Sequence, residues 1–222
     1  MSTRSRLWHV AKVLALIATA ATSGRAQVVA ASPRTPAEQA NADGGIMPFT
    51  RADVEFMQGM IAHHAQAVVM AGWAPSHGAS PSLSILCQRI DVAQRDEIAF
   101  MQRWLRERKQ TVPDANAGNM AGPHMAGMDM SGMPKLMPGM LSPQQMKQLD
   151  GARGTAFDQL FLTFMIQHHE GALTMVNTLF DTPGAGQELY VFRFASDVSA
   201  DQETEIDRMH LMLSSLTGDK RQ

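Results

Sequence analysis

Between Val54 and Met70 the apolar positions fall into two adjoining stripes. Val54, Met57, Ile61, His64 and Val68 recur at steps of three and four, and beside them run Met60, His63, Ala67 and Met70. That period places each set along one face of a helix. The same two stripes return as Leu162, Ile166, His169 and Leu173 beside Met165, His168, Ala172 and Met175. In both stretches a pair of adjacent histidines straddles the stripes. His64 and His169 lean toward the main core, whereas His63 and His168 align with methionines at i−3 and i+7.

Turn and cap residues bound these faces. Thr50 to Asp53 has the form of a capping box, and the helix it opens runs to about Gly72, before a Pro/Gly/Ser stretch that ends at Pro81. Ser80-Pro81 opens a second helix reaching about Lys109, and the two form a hairpin. Residues 111–142 break all periodicity. Ser142-Pro143 then starts a short helix that falters at Gly151 and Gly154, followed by long helices from Thr155 to about Phe180 and from about Gln187 to Leu216. No stretch alternates as a strand does, so the expected class is all-α.

The second hairpin repeats the first. At an offset of 105, Thr50, Asp53, Met60, His63, His64, Ala67 and Met70 match Thr155, Asp158, Met165, His168, His169, Ala172 and Met175. At an offset of 108, Leu83, Ile90, Gln94, Glu97, Ile98, Met101 and Leu105 match Val191, Val198, Gln202, Glu205, Ile206, Met209 and Leu213. Two copies of one hairpin joined by a long crossover predict a ferritin-like four-helix bundle over 48–217, with a pseudo-two-fold axis. Its parts are hairpin 1 (50–110), the crossover (111–142) and hairpin 2 (143–216). Gln94, Glu97 and their counterparts fall on apolar faces, so Glu97 and Glu205, or the two glutamines, are expected to orient the histidines.

The first 26 residues carry Arg4 and Arg6 ahead of the apolar run Val13 to Ala21, with small residues at 24–26, the pattern of an export signal cleaved near Ala26. The run is too short to span a bilayer. Residues 27–47, rich in Ala and Pro, read as a flexible lead-in. Cleavage leaves 15 basic against 21 acidic residues, a net charge of −6 that argues against nucleic acid or anionic membrane as the main partner. With Cys87 alone there is no internal disulfide and no CxxC chemistry, and its apolar neighbours suit a small buried hydrophobe.

The crossover changes the picture most. Between Asn119 and Met140 it holds methionines at 120, 125, 128, 130, 133, 137 and 140, together with His124. A linker has no need of methionine, and exposed thioethers invite oxidation. Neutral thioether is a soft ligand that suits Cu(I), and imidazole also serves copper, so the chemistry points to copper ahead of zinc or iron. The plainer alternative is a hydrophobic clasp in which methionine is filler.

The signal segment, the twofold M-x2-H-H-x5-M and a Met-rich crossover ending in MPGMLSPQQM resemble a bacterial family long catalogued as a domain of unknown function, whose best understood members are the CopM-like periplasmic copper-binding proteins. The likeness covers about residues 47–216. It implies a ferritin-like bundle binding copper through Met and His and contributing to copper tolerance. Position by position it points to Met60, His63, His64 and Met70, to Met165, His168, His169 and Met175, and to Met101 and Met209; the crossover adds His124, Met125, Met128, Met130 and Met133. The second copy has Glu170 where the first has Ala65, so the first site is the more degenerate. The expected function is a non-enzymatic periplasmic protein that captures, buffers or hands on Cu(I), with an efflux or cuproprotein system as partner. Two alternatives stay open. One is a harder dinuclear site built from the histidines with Glu97 and Glu205, although paired Glu-x-x-His motifs are missing; the other is a metal-free interaction module.

Overall fold

The computed structural model describes residues 47–114 and 136–218. The expected signal segment and most of the lead-in, and with them His124, Met125, Met128, Met130 and Met133, lie outside the described residues. Within them the chain is all-α: α1 (Arg51–Gly72), α2 (Pro81–Glu107), the short α3 (Pro143–Gly151), α4 (Thr155–Asp181) and α5 (Leu189–Thr217). No described helix is long and apolar enough to cross a membrane.

Local chemistry sets most of the boundaries. Thr50 and Asp53 close a reciprocal capping box on α1, and Ser142 with Gln145 does the same for α3. Ser80 caps α2 with Pro81 in the first turn, where a missing N–H costs nothing. The second copy departs here. Gly154, at φ +57°, precedes α4 without a side-chain cap, and Asp158 turns instead to the backbone N–H of Ser80, 3.2 Å away. Asp53 likewise accepts from the N–H of Gly186 at 2.7 Å. The first-turn aspartate of each hairpin therefore fastens the interhelix loop of the other.

α1 pairs with α2 and α4 with α5, and the hairpins meet chiefly through α1 and α4. Their apolar faces form two clusters. One joins the first half of α1 to the second half of α4, with Met57, Met60, Ile61, Met101, Leu105, Ala172, Val176 and Val191. The other joins the second half of α1 to the first half of α4, with Met70, Leu83, Ile90, Phe157, Phe161, Met165 and Met209. α1 and α4 thus run antiparallel, and the histidine pairs stand where the clusters divide. Cys87 is a buried member of the second cluster, its thiol pushed up to about 12 by burial and then by Asp158. Beneath the first cluster Glu188 caps α5 and binds both Arg108 and the Trp104 indole N–H, each at 3.1 Å, so this buried charge pair is matched by hydrogen bonds.

Candidate metal centre

All four paired histidines are fully buried. His64 Nε2 lies 2.7 Å from Glu97 Oε2, and His169 Nε2 lies 2.7 Å from Glu205 Oε2. These are the carboxylates that the spacing picks out. The pairs match in distance, yet only His169–Glu205 has hydrogen-bond geometry. Asp201 lies near both carboxylates, and its own carboxyl is raised by burial and then by Glu97, Glu205 and Asp197.

His63 and His168 meet on the pseudo-two-fold axis, ring centroids 3.8 Å apart and planes tilted by 38°. Their hydrogen bonds break the symmetry. Nε2 of His168 lies 3.0 Å from the carbonyl of His63, whereas Nε2 of His63 lies 3.0 Å from the carbonyl of Pro138 in the crossover. A carbonyl oxygen only accepts, so each Nε2 carries the proton and each Nδ1 holds a lone pair. Both Nδ1 atoms are buried with no partner. Burial, then His64, lowers His63 to about 3; burial, then His63, pushes His168 well below the usual range. The two rings are neutral at physiological pH.

The crossover returns to the bundle as a strap over residues 136–142. Gln66 grips Leu141 on both sides, accepting from its N–H at 2.7 Å and donating to its carbonyl at 3.0 Å. Gln167 donates to the Gly139 carbonyl at 3.2 Å and accepts from Gln145 at 3.0 Å. Gly139 sits at φ +73°, and a Cβ on Gly171 would overlap the Pro138 carbonyl and stand 2.5 Å from the Gly139 Cα, so both glycines are required by the close approach. A Cβ on Gly59 would lie 3.3 Å from the Met137 sulfur and 3.4 Å from the Met175 methyl.

The expected methionines separate into two groups. Met60 and Met101 share the first cluster with the partly buried Met175; Met70, Met165 and Met209 share the second. Each group draws two members from one hairpin and one from the other, as the repeat requires. Met60 and Met70 flank His63 in sequence but stand about 15 Å apart along the helix axis, so they cannot hold one ion together. All of these except Met175 have no exposed surface. Among the described residues no three His, Cys, Asp or Glu side chains gather closely enough to hold an ion, so the histidines with Glu97 and Glu205 do not assemble the harder dinuclear site. Glu170 is exposed and Ala65 buried.

The spacing of apolar positions did not single out Gln66, Gly59, Gly171 or His77. The first three are where the copies differ, facing Gly171, Phe164 and Gln66 at the offset of 105, and that mismatch was the available signal. His77 is buried, bonded to Ser76 and to Asp150, and holds the first interhelix loop against α3; no periodic pattern reaches it.

A family model described as a domain of unknown function, DUF305, matches residues 53–213. The chain belongs to the DUF305 family. Among solved structures it is 26% identical to a DUF305 protein of Streptomyces coelicolor described provisionally as secreted, with a TM-score of 0.60, covering 75% of this chain and 94% of that one. A DUF305 fragment from Deinococcus radiodurans is also 26% identical, with a TM-score of 0.60, covering 76% of this chain and 99% of that one. CopM in the Cu(II)-bound form is 26% identical, with a TM-score of 0.56, over 73% of this chain and 96% of CopM; its silver-bound co-crystal form is 25% identical, with a TM-score of 0.52. The match to CopM supports the CopM-like resemblance and the ferritin-like all-α fold. No curated protein matches the chain.

Proposed function

We propose that this DUF305 protein is exported to the periplasm and captures, buffers or hands on copper, Cu(I) in preference, through methionine and histidine, and so contributes to copper tolerance without being an enzyme. One observation carries the reading: His63 and His168 are neutral, in contact, and present buried Nδ1 lone pairs without partners in a methionine-rich core. Neutral imidazole and neutral thioether form an uncharged soft donor set, which favours a monovalent d10 ion. Burying such a site around a divalent ion would leave two uncompensated charges. CopM, similar over most of its length, has been solved with copper and with silver, a soft monovalent ion of the same kind. Weak, exchangeable thioether donors suit transfer to an efflux or cuproprotein partner better than permanent storage.

The test is competition for Cu(I) against a chromophoric chelator under reducing conditions, comparing the mature protein with a variant carrying leucine for every methionine at 120–140. The reading expects a clear loss of affinity in the variant; equal affinity removes the crossover from the account. Full burial of Met60, Met70, Met101, Met165 and Met209 also fits a bundle in which methionine is filler. That reading expects no thermal shift on adding Cu(I) or Ag(I).

A further inference from the structure

The geometry points to a soft-metal clip at the lip of the strap, formed by the thioethers of Met137 and Met175 above Gly59. This inference rests on the copper reading and adds a location and a ligand that the repeat does not supply. Met137 is on the strap and Met175 on α4, yet both reach the same bare patch of α1, at 3.3 and 3.4 Å from where a Gly59 Cβ would stand. Both side chains are half-buried. Met175 also lines a surface groove with Pro138, Phe56, Leu179, Glu55 and Thr178, so its side chain is reached from solvent without any opening of the core.

The opposite side of the pseudo-two-fold axis shows that the arrangement is specific. There Phe164 occupies the position of Gly59, and Met70, the counterpart of Met175, has no exposed surface. The glycine that admits two thioethers and the methionine left accessible therefore occur together, on the side that the strap crosses. The strap itself is fixed by Gln66, Gln167, His63 and the Gly139–Gly171 contact, which holds Met137 over the patch before any ion binds. Two neutral thioether side chains brought to one patch, one of them on the groove, suit Cu(I) or Ag(I).

Ag(I), which needs no reductant, is the probe. The mature protein with 13C-methyl methionine is titrated with substoichiometric Ag(I), and methyl resonances are assigned from single Met→Leu variants. The expected result is that the Met137 and Met175 methyls move together with the first equivalent, and that Met175→Leu abolishes the Met137 shift and weakens the tightest site about tenfold, close to 1.4 kcal/mol. Gly59→Val, which fills the patch, has the same effect while circular dichroism stays unchanged. If Ag(I) binds but the Met137 methyl stays still, or moves equally in Met175→Leu, the clip is wrong and the copper reading survives. If the wild type binds neither Ag(I) nor Cu(I), both fall.

Discussion

The two hairpins carry the same histidines, methionines and carboxylates, and the two faces of the bundle that they build are nevertheless unlike. On one side stand Gly59, a half-buried Met175 and a His63 bonded to Pro138; on the other stand Phe164, a sealed Met70 and a His168 bonded to His63, while the strap seats on both Gly171 and its counterpart Gln66. A duplicated sequence supplies two potential sites, and one added segment makes them different. The difference lies in small residues that let the strap approach and in one histidine whose hydrogen bond goes to the strap and not to the other repeat.

Acid should act on both hairpins at once, through the histidines where they meet. The neutral state of His63 and His168 means that the folded, copper-free protein refuses protons that the unfolded chain accepts, so stability falls as pH drops through 6.5, and the His63 contribution continues to fall toward about 3. Each ring contributes roughly 1.4 kcal/mol per pH unit inside that window. Because the rings join the hairpins, far-ultraviolet circular dichroism against urea at pH 7, 6 and 5 should show one transition moving to lower urea. A midpoint that does not move would place the rings in water.

Gly171→Val tests the strap side alone. The new side chain overlaps backbone of Pro138 and Gly139, which cannot give way as a flexible side chain would, and about 2–3 kcal/mol of destabilisation is expected from urea unfolding. Gln66→Gly at the equivalent position makes no clash but strands the N–H and carbonyl of Leu141, and should cost a comparable amount. A Gly171→Val variant as stable as the wild type would show that the strap is not seated on Gly171.

The smallest contrast is between the carboxylates. Glu205→Leu loses a formed hydrogen bond to His169 and should cost about 1–2 kcal/mol, while Glu97→Leu, which removes an oxygen equally near His64 but poorly aligned, should cost less. Equal losses would make the two pairs energetically identical.

Much of this architecture was legible in the chain. Helix limits followed from Thr50, Ser80-Pro81 and Ser142-Pro143, and the duplication from matched positions at constant offset, since caps and apolar periods are local and survive without tertiary knowledge. The carboxylate partners were legible too, because Glu97 and Glu205 stand on apolar faces where a polar group needs company. The strap was not. Its contacts are backbone carbonyls meeting Gln66, Gln167 and His63, and a carbonyl leaves no trace in residue type. Nor did adjacency in sequence show that Met60 and Met70 fall in separate clusters, which follows from helical rise. Asp53 and Asp158 looked like paired caps, and their reach to the opposite loops depends on how the hairpins dock.

We propose that a folded DUF305 bundle of this sequence holds Cu(I) in a soft, neutral donor set. Mass spectrometry of the mature protein under non-denaturing conditions, titrated with Cu(I) in the presence of reductant and a weak competing chelator, tests it most directly. At least one retained copper ion is expected in the wild type, fewer in the variant with leucine at 120–140, and no uptake of iron or manganese at the same concentration. Retention of iron or manganese in preference to copper, or no retained ion at all, would contradict it.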